Sequence, residues 1–217
     1  MAVFDGHGGA ATAEMAAQEF ISLFESALEA HPENFPEALR DVFAALNPMT
    51  QDLSAGSTAS VVFIPRDAQS VSLAVLGDSP IVLLNSDGKT HFGPDHNIHT
   101  NLKERGAAQA RGGVFYGGYL EDPQRPGWGL QMARSLGDAD LARVLSREPD
   151  IETVALGGKG IVLVGTDGVF LPGGGSNADQ LMRLLTMIRQ GADAQAIVQD
   201  ALARKTGDNV TALVWKA

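Results

Sequence analysis

Four short stretches share one form: an apolar run beside an aspartate that neighbours glycine. They are AVFDGHGG (2–9), LAVLGDS (73–79), IVLVGTDG (161–168) and TGDNV (206–210), the last of which leads into an apolar run rather than out of one. An aspartate at a strand end, with glycine allowing close approach, can aim its carboxylate beyond the sheet. Several such strand ends side by side would bring carboxylates to one spot. Like charges at that range repel and raise one another's pKa unless a cation neutralises them. Carboxylate oxygens are hard ligands and suit Mg²⁺, Mn²⁺ or Ca²⁺ better than zinc. His7, two residues after Asp5, adds a group able to act as a general acid beside a bound phosphate.

A single Asp-Gly pair is a common turn. Asp87-Gly88, between IVLLNS and KTHF, is read as a hairpin turn and nothing more. The other stretches stand apart because the strand-to-aspartate pattern recurs and His7 accompanies it. His31, His91, His96 and His99 lack such company and are read as surface or loop residues. No D-x-D/N-x-D/N-G loop occurs, which disfavours an EF-hand calcium protein.

The elements that must position these aspartates follow from periodicity. Residues 11–30 place Met15, Phe20, Phe24, Ala27 and Leu28 at helical spacing, and His31-Pro32 ends that helix. A second helix is predicted from Pro36 to about Leu53, with Leu39, Val42, Phe43 and Leu46 on one face. The runs 58–65, 71–79, 80–86, 151–156 and 161–170 read as strands, and NVTALVWKA as a closing strand. Two more helices are expected over 178–190 and 192–205, after a loop at PGGGSN (172–177). Residues 98–127 read as a long surface excursion with a short helix near 98–110. Asp138 is read as a cap for the helix-like ADLARVL, and Arg134 as an arginine that holds a loop or a carboxylate. Strands joined by short turns, with helices grouped before and after them, predict an α+β fold with antiparallel sheets layered by helices.

Composition narrows the function. The 217 residues carry 16 Lys+Arg against 26 Asp+Glu, a formal charge of −10, which would repel a nucleic-acid backbone. There is no cysteine, so disulfides, thiolate metal sites and cysteine nucleophiles are excluded. No run is apolar for long enough to span a membrane, and no basic-then-apolar start marks a signal peptide. A cytoplasmic location, with no nucleic-acid or membrane partner, is the expectation.

Taken together, VFDGHGG, GSTASVVFI (56–64), LAVLGDS, DH (95–96), ARSLGD (133–138), REPDI (147–151), GTDGVF (165–170) and GDNVTALV (207–214) resemble the metal-dependent serine/threonine protein phosphatases of type 2C, in the order seen there. The resemblance runs over essentially the whole chain. It implies a four-layer αββα sandwich of two antiparallel sheets flanked by helices, with 1–217 as a single catalytic domain. It also implies a pair of Mg²⁺ or Mn²⁺ ions and a weaker third. Asp5 would bridge the pair and the Gly6 carbonyl would bind the second ion. Asp167 and Asp208 would bind the first, and Asp78 the third. His7 would protonate the leaving alkoxide while a metal-bridging hydroxide attacks phosphorus, with no phosphoenzyme. The substrate implied is a phosphoserine or phosphothreonine protein, and 98–127 would be a variable flap beside the site.

The chain also departs from the family pattern. Met1 lies only four residues before Asp5, so the family's preceding strands, acidic motif and phosphate-binding arginine have no counterpart in 1–217, and the domain is read as N-terminally shortened. Position 80 is proline where arginine is usual, and position 171 is leucine where aspartate is frequent. These departures predict reduced activity, a weak second cation, a doubtful third, and self-association through uncovered sheet edges. They keep two alternatives open: a metal-binding regulatory module that turns over poorly, and a hydrolase of small phosphoesters.

Overall fold

Alternation within the longer strands sorts the chain into layers. The computed structural model describes residues 1–170 and 175–217, so the expectation at Leu171 and part of the loop at 172–177 lie outside the described residues. In chain order the elements are β1 (Ala2–Val3), β2 (Gly6–His7), α1 (Ala11–Ala30), α2 (Phe35–Thr50), β3 (Gly56–Ser57), β4 (Ala59–Phe63), β5 (Ser70–Leu76), β6 (Ile81–Asn85) and β7 (Thr90–Phe92). There follow α3 (Leu102–Ala110), β8 (Val114–Tyr116), β9 (Tyr119–Glu121), β10 (Gly129–Leu130), β11 (Leu136–Gly137), β12 (Asp150–Ala155), β13 (Gly160–Gly165), α4 (Asn177–Arg189), α5 (Ala194–Ala203) and β14 (Ala212–Lys216).

Two four-stranded sheets dominate, ordered β1-β4-β5-β12 and β14-β13-β6-β7, and every named pairing is antiparallel. Successive side chains of a strand point to opposite faces. In β5, Leu73 and Val75 join Val62, Ile81, Leu83, Val162 and Val164 in the core between the sheets. Their neighbours Ala74 and Leu76 turn the other way, onto Phe20, Phe24, Leu39, Val42, Phe43 and Leu46 of α1 and α2. The second sheet repeats the logic. Val82 and Leu163 leave the inter-sheet core to pack on Leu184, Leu185 and Ile188 of α4 and Ile197 of α5. The result is the expected α+β sandwich, helices–sheet–sheet–helices.

Local signals agree with the helix ends. Asn34 caps α2 by accepting the Glu37 N–H at 3.3 Å, with proline in the first turn. Ser176 and Asp179 form a reciprocal capping box at α4. Among the described residues no helix is long and apolar enough to cross a membrane.

The excursion after residue 98 is more ordered than its glycines and prolines predict. It forms α3 and a three-stranded sheet, β10-β9-β8, over a small core of Ile98, Ala108, Leu120, Leu130, Leu141 and Val144. Its strands have only two or three residues each, too short for alternation to show in sequence.

Candidate metal centre

A second small sheet, β11-β3-β2, lies beside the end of the sandwich where the aspartates gather. One cleft there is lined by Asp5, Gly6, His7, Thr58, Asp78, Met132, Asp167 and Asp208. All six residues singled out from sequence as site residues are among them. They come from the two ends and the middle of the chain.

Each is placed by backbone bonding. The Asp5 main chain is held on both sides by Thr58: the Thr58 N–H donates to the Asp5 carbonyl at 2.9 Å, and the Asp5 N–H donates to Thr58 Oγ1 at 3.1 Å. Thr58 Oγ1 also shares a hydrogen bond with the Ser79 hydroxyl at 2.7 Å, tying Asp5 to the Asp78 turn. Asp167 begins the turn that follows β13, and Asp208 lies in the loop that enters β14. These two segments are tied by the Thr166 N–H to the Thr211 carbonyl at 3.0 Å and by Thr206 Oγ1 to the Gly168 carbonyl at 3.0 Å. Gly168 is needed here because a Cβ would strike the Asn209 carbonyl.

The electrostatics of the cleft are unfavourable as they stand. Burial, then the charges of Asp167, Asp208 and Asp78, push the Asp5 carboxyl up to about 7. Burial, followed by Asp208, pushes Asp167 up as well. Asp78 is raised to about 7, first by burial and then by Asp167, against the opposing pull of Asn97, whose Nδ2 donates to Asp78 Oδ2 at 2.9 Å. Among the described residues no Lys or Arg lines the cleft to offset these charges. Four carboxylates, beside the exposed Gly6, form an oxygen donor set with excess negative charge. That chemistry fits hard divalent cations.

Three residues stand differently from the expectation. Asp138 caps nothing: it adopts a left-handed backbone, φ 51°, before a short turn, and its side chain makes no capping bond. Its carboxylate is fully buried and lies 2.8 Å from His7 Nε2. The partner is 131 residues away, so local pattern could not reveal it. His96 is not a surface residue but completely buried. Its Nδ1 accepts the Gly77 N–H at 3.0 Å, which leaves Nε2 to donate to Asp150 at 3.1 Å. It thus fixes the turn that presents Asp78. Thr58, the first residue of the strand expected over 58–65, also forms part of the cleft wall.

His96, Glu104 and Asp150 bring ligand atoms within 4.8 Å of one another, a second grouping with metal-like composition. The Arg134 guanidinium already fills that role. It donates to Glu104 at 2.5 and 2.9 Å and to Asp150 at 2.8 Å. The bond from His96, then the charge of Arg134, hold Asp150 below the usual carboxylate range. We read this as an ion-pair network, matching the carboxylate-holding role expected of Arg134.

Comparison with known proteins places the chain in a family. The model of the family described as Protein phosphatase 2C matches residues 1–210. Relatives include "Probable protein phosphatase 2C 44" of Oryza sativa subsp. japonica, 27% identical over 98% of this chain and 66% of its own length. "Probable protein phosphatase 2C 12" of Arabidopsis thaliana is 28% identical over 98% of this chain and 52% of its own. The chain thus spans about half to two thirds of the first of the curated relatives it matches. In fold it is similar to a sex determining protein of C. elegans (TM-score 0.79, 24% identity, 98% of this chain and 55% of that one). It is also similar to serine-threonine phosphatase 2C of Toxoplasma gondii (TM-score 0.75, 21% identity, 98% and 83%). With nearly its whole length matched to the family model, the chain belongs to the protein phosphatase 2C family.

Proposed function

We propose that this chain hydrolyses phosphoserine and phosphothreonine esters of proteins, using Mg²⁺ or Mn²⁺ held in the aspartate cleft. The observation that carries the reading is the convergence of Asp5, Asp78, Asp167 and Asp208 on one cleft with His7 on its wall. Asp5, the Gly6 carbonyl, Asp167 and Asp208 would hold a pair of cations, and Asp78 a weaker third. Bound there, the cations would screen the phosphate charge and lower the pKa of coordinated water. Without them, four carboxylates would repel the phosphate.

The rest is the work of the chain's own side chains. Thr58 fixes Asp5 from both sides of its main chain. His7 supplies a proton to the leaving serine or threonine oxygen, a contribution of about 10²–10⁴ in rate. The chain has no cysteine, so the route through a thiol phosphate is closed. The excursion formed by α3 and β8–β10 serves as the flap that meets the protein substrate.

The test is hydrolysis of a phosphothreonine peptide and of p-nitrophenyl phosphate across a Mn²⁺ titration, with Asp167→Asn as control. Cation-dependent turnover of both, abolished in the variant, is expected. Absence of turnover at millimolar Mn²⁺ overturns the reading in favour of a binding module. Turnover of the aryl phosphate alone favours a hydrolase of small phosphoesters.

A further inference from the structure

We propose that Asp138 is a positioning residue for His7, holding the ring by Nε2 so that Nδ1 is the atom that hands a proton into the cleft. The inference rests on the phosphatase reading above. Three observations carry it. The His7 ring, on the wall of the cleft, lies with Nε2 2.8 Å from Asp138 Oδ2, and a carboxylate can only accept in that bond. Nδ1 has no hydrogen-bond partner among the described residues. The bond also passes through the space that a side chain at Gly56 would fill, since a Cβ there would overlap both Asp138 Oδ2 and His7 Nε2.

The surroundings of Asp138 argue against a purely structural carboxylate. Oδ2 takes both donors, the His7 ring and the Ser135 hydroxyl at 2.5 Å. Oδ1 is buried with no hydrogen-bond partner, a costly arrangement for a group whose only task is to satisfy a loop. The Arg147 guanidinium donates to the Ser135 and Asp138 carbonyls at 2.7 and 3.4 Å, not to the Asp138 carboxylate. His7 is thus the one ring or cationic side chain hydrogen-bonded to this carboxylate among the described residues. In the step concerned, the P–O bond breaks with its electron pair on the departing alkoxide oxygen. One proton moves from His7 Nδ1 to that oxygen, giving the alcohol. Nε2–H stays on Asp138 throughout, and the ring regains a proton from solvent.

The test compares leaving groups on the full chain with Mn²⁺. A threonine alkoxide needs the proton, whereas p-nitrophenolate departs readily without it. Asp138→Asn is expected to lower kcat on a phosphothreonine peptide by about 10²-fold or more and to leave kcat on p-nitrophenyl phosphate far less affected, with KM unchanged for both. His7→Ala should show the same split, and the double variant no further loss. Equal losses on the two substrates, or none, overturn the proposal. The imidazole ¹⁵N shifts of His7 in the metal-free wild type, recorded where the ring is neutral, give a second readout. A proton on Nε2 supports the arrangement and a proton on Nδ1 overturns it. That measurement stands even if the variant fails to fold, or if the wild type hydrolyses neither substrate and the phosphatase reading itself fails.

Discussion

Asp78 shows how much a site residue depends on neighbours that are not in the cleft. Its turn is fixed by the buried His96, and its charge is steadied by the Asn97 amide. Under the proposed function, Asn97→Ala should weaken cation binding about 10-fold, as loss of an outer partner does at other metal sites. The Mn²⁺ midpoint of activity reads this directly, and an unchanged midpoint would remove Asp78 from the cation site. Asp5, Asp78, Asp167 and Asp208 were legible in sequence because each carries its own local mark, an apolar run beside an aspartate and a glycine. Asp138 and His96 carry none. Their roles are set by partners 131 and 54 residues distant, and only the folded chain brings those together.

At the scale of elements, the long strands were legible because period-2 alternation and β-branched residues coincide in them. The small strands of the excursion were not, since two or three residues cannot display a period. The alternation also predicts where substitutions hurt. Leu73 is fully buried between the two sheets, so Leu73→Ala should cost about 2–5 kcal/mol in denaturant unfolding. Ile21, 62% exposed on α1, is the contrasting site, and its change to alanine should stay within about 0.5 kcal/mol. Similar effects at the two positions would contradict the assignment of faces. Element ends were read to within a few residues. The second helix stops at Thr50 rather than about Leu53, and the strand expected over 161–170 gives way to a tight turn at Asp167.

At the scale of the whole molecule, the aspartate cleft couples stability to pH and to cations. Asp5 and Asp78 both titrate at about 7 in the folded chain against an ordinary 3.8, so the folded state keeps protons that the unfolded chain releases. Stability from these groups is therefore fullest below about pH 4 and is lost as pH rises to about 7. In a chelator, Tm should fall from about pH 5 to about pH 8. Adding Mn²⁺ should restore it most at the upper end, because a cation that binds only the folded chain contributes about 2.7 kcal/mol at a hundredfold excess over Kd. A chelated protein whose Tm rises steadily over that range would show that the carboxylates are not held this way.

The span of the cleft along the chain has a further consequence, for synthesis. Asp5 leaves the ribosome 203 residues (208 − 5) before Asp208, and the strand after Asp208, β14, pairs with β13 alone among the described residues. A nascent chain therefore carries three of its four acidic groups, without their full set of oxygens, until translation has almost reached β14. Under the proposed function, cations would not template early folding but would lock a sandwich whose long-range pairings have already closed, a late checkpoint on the fold.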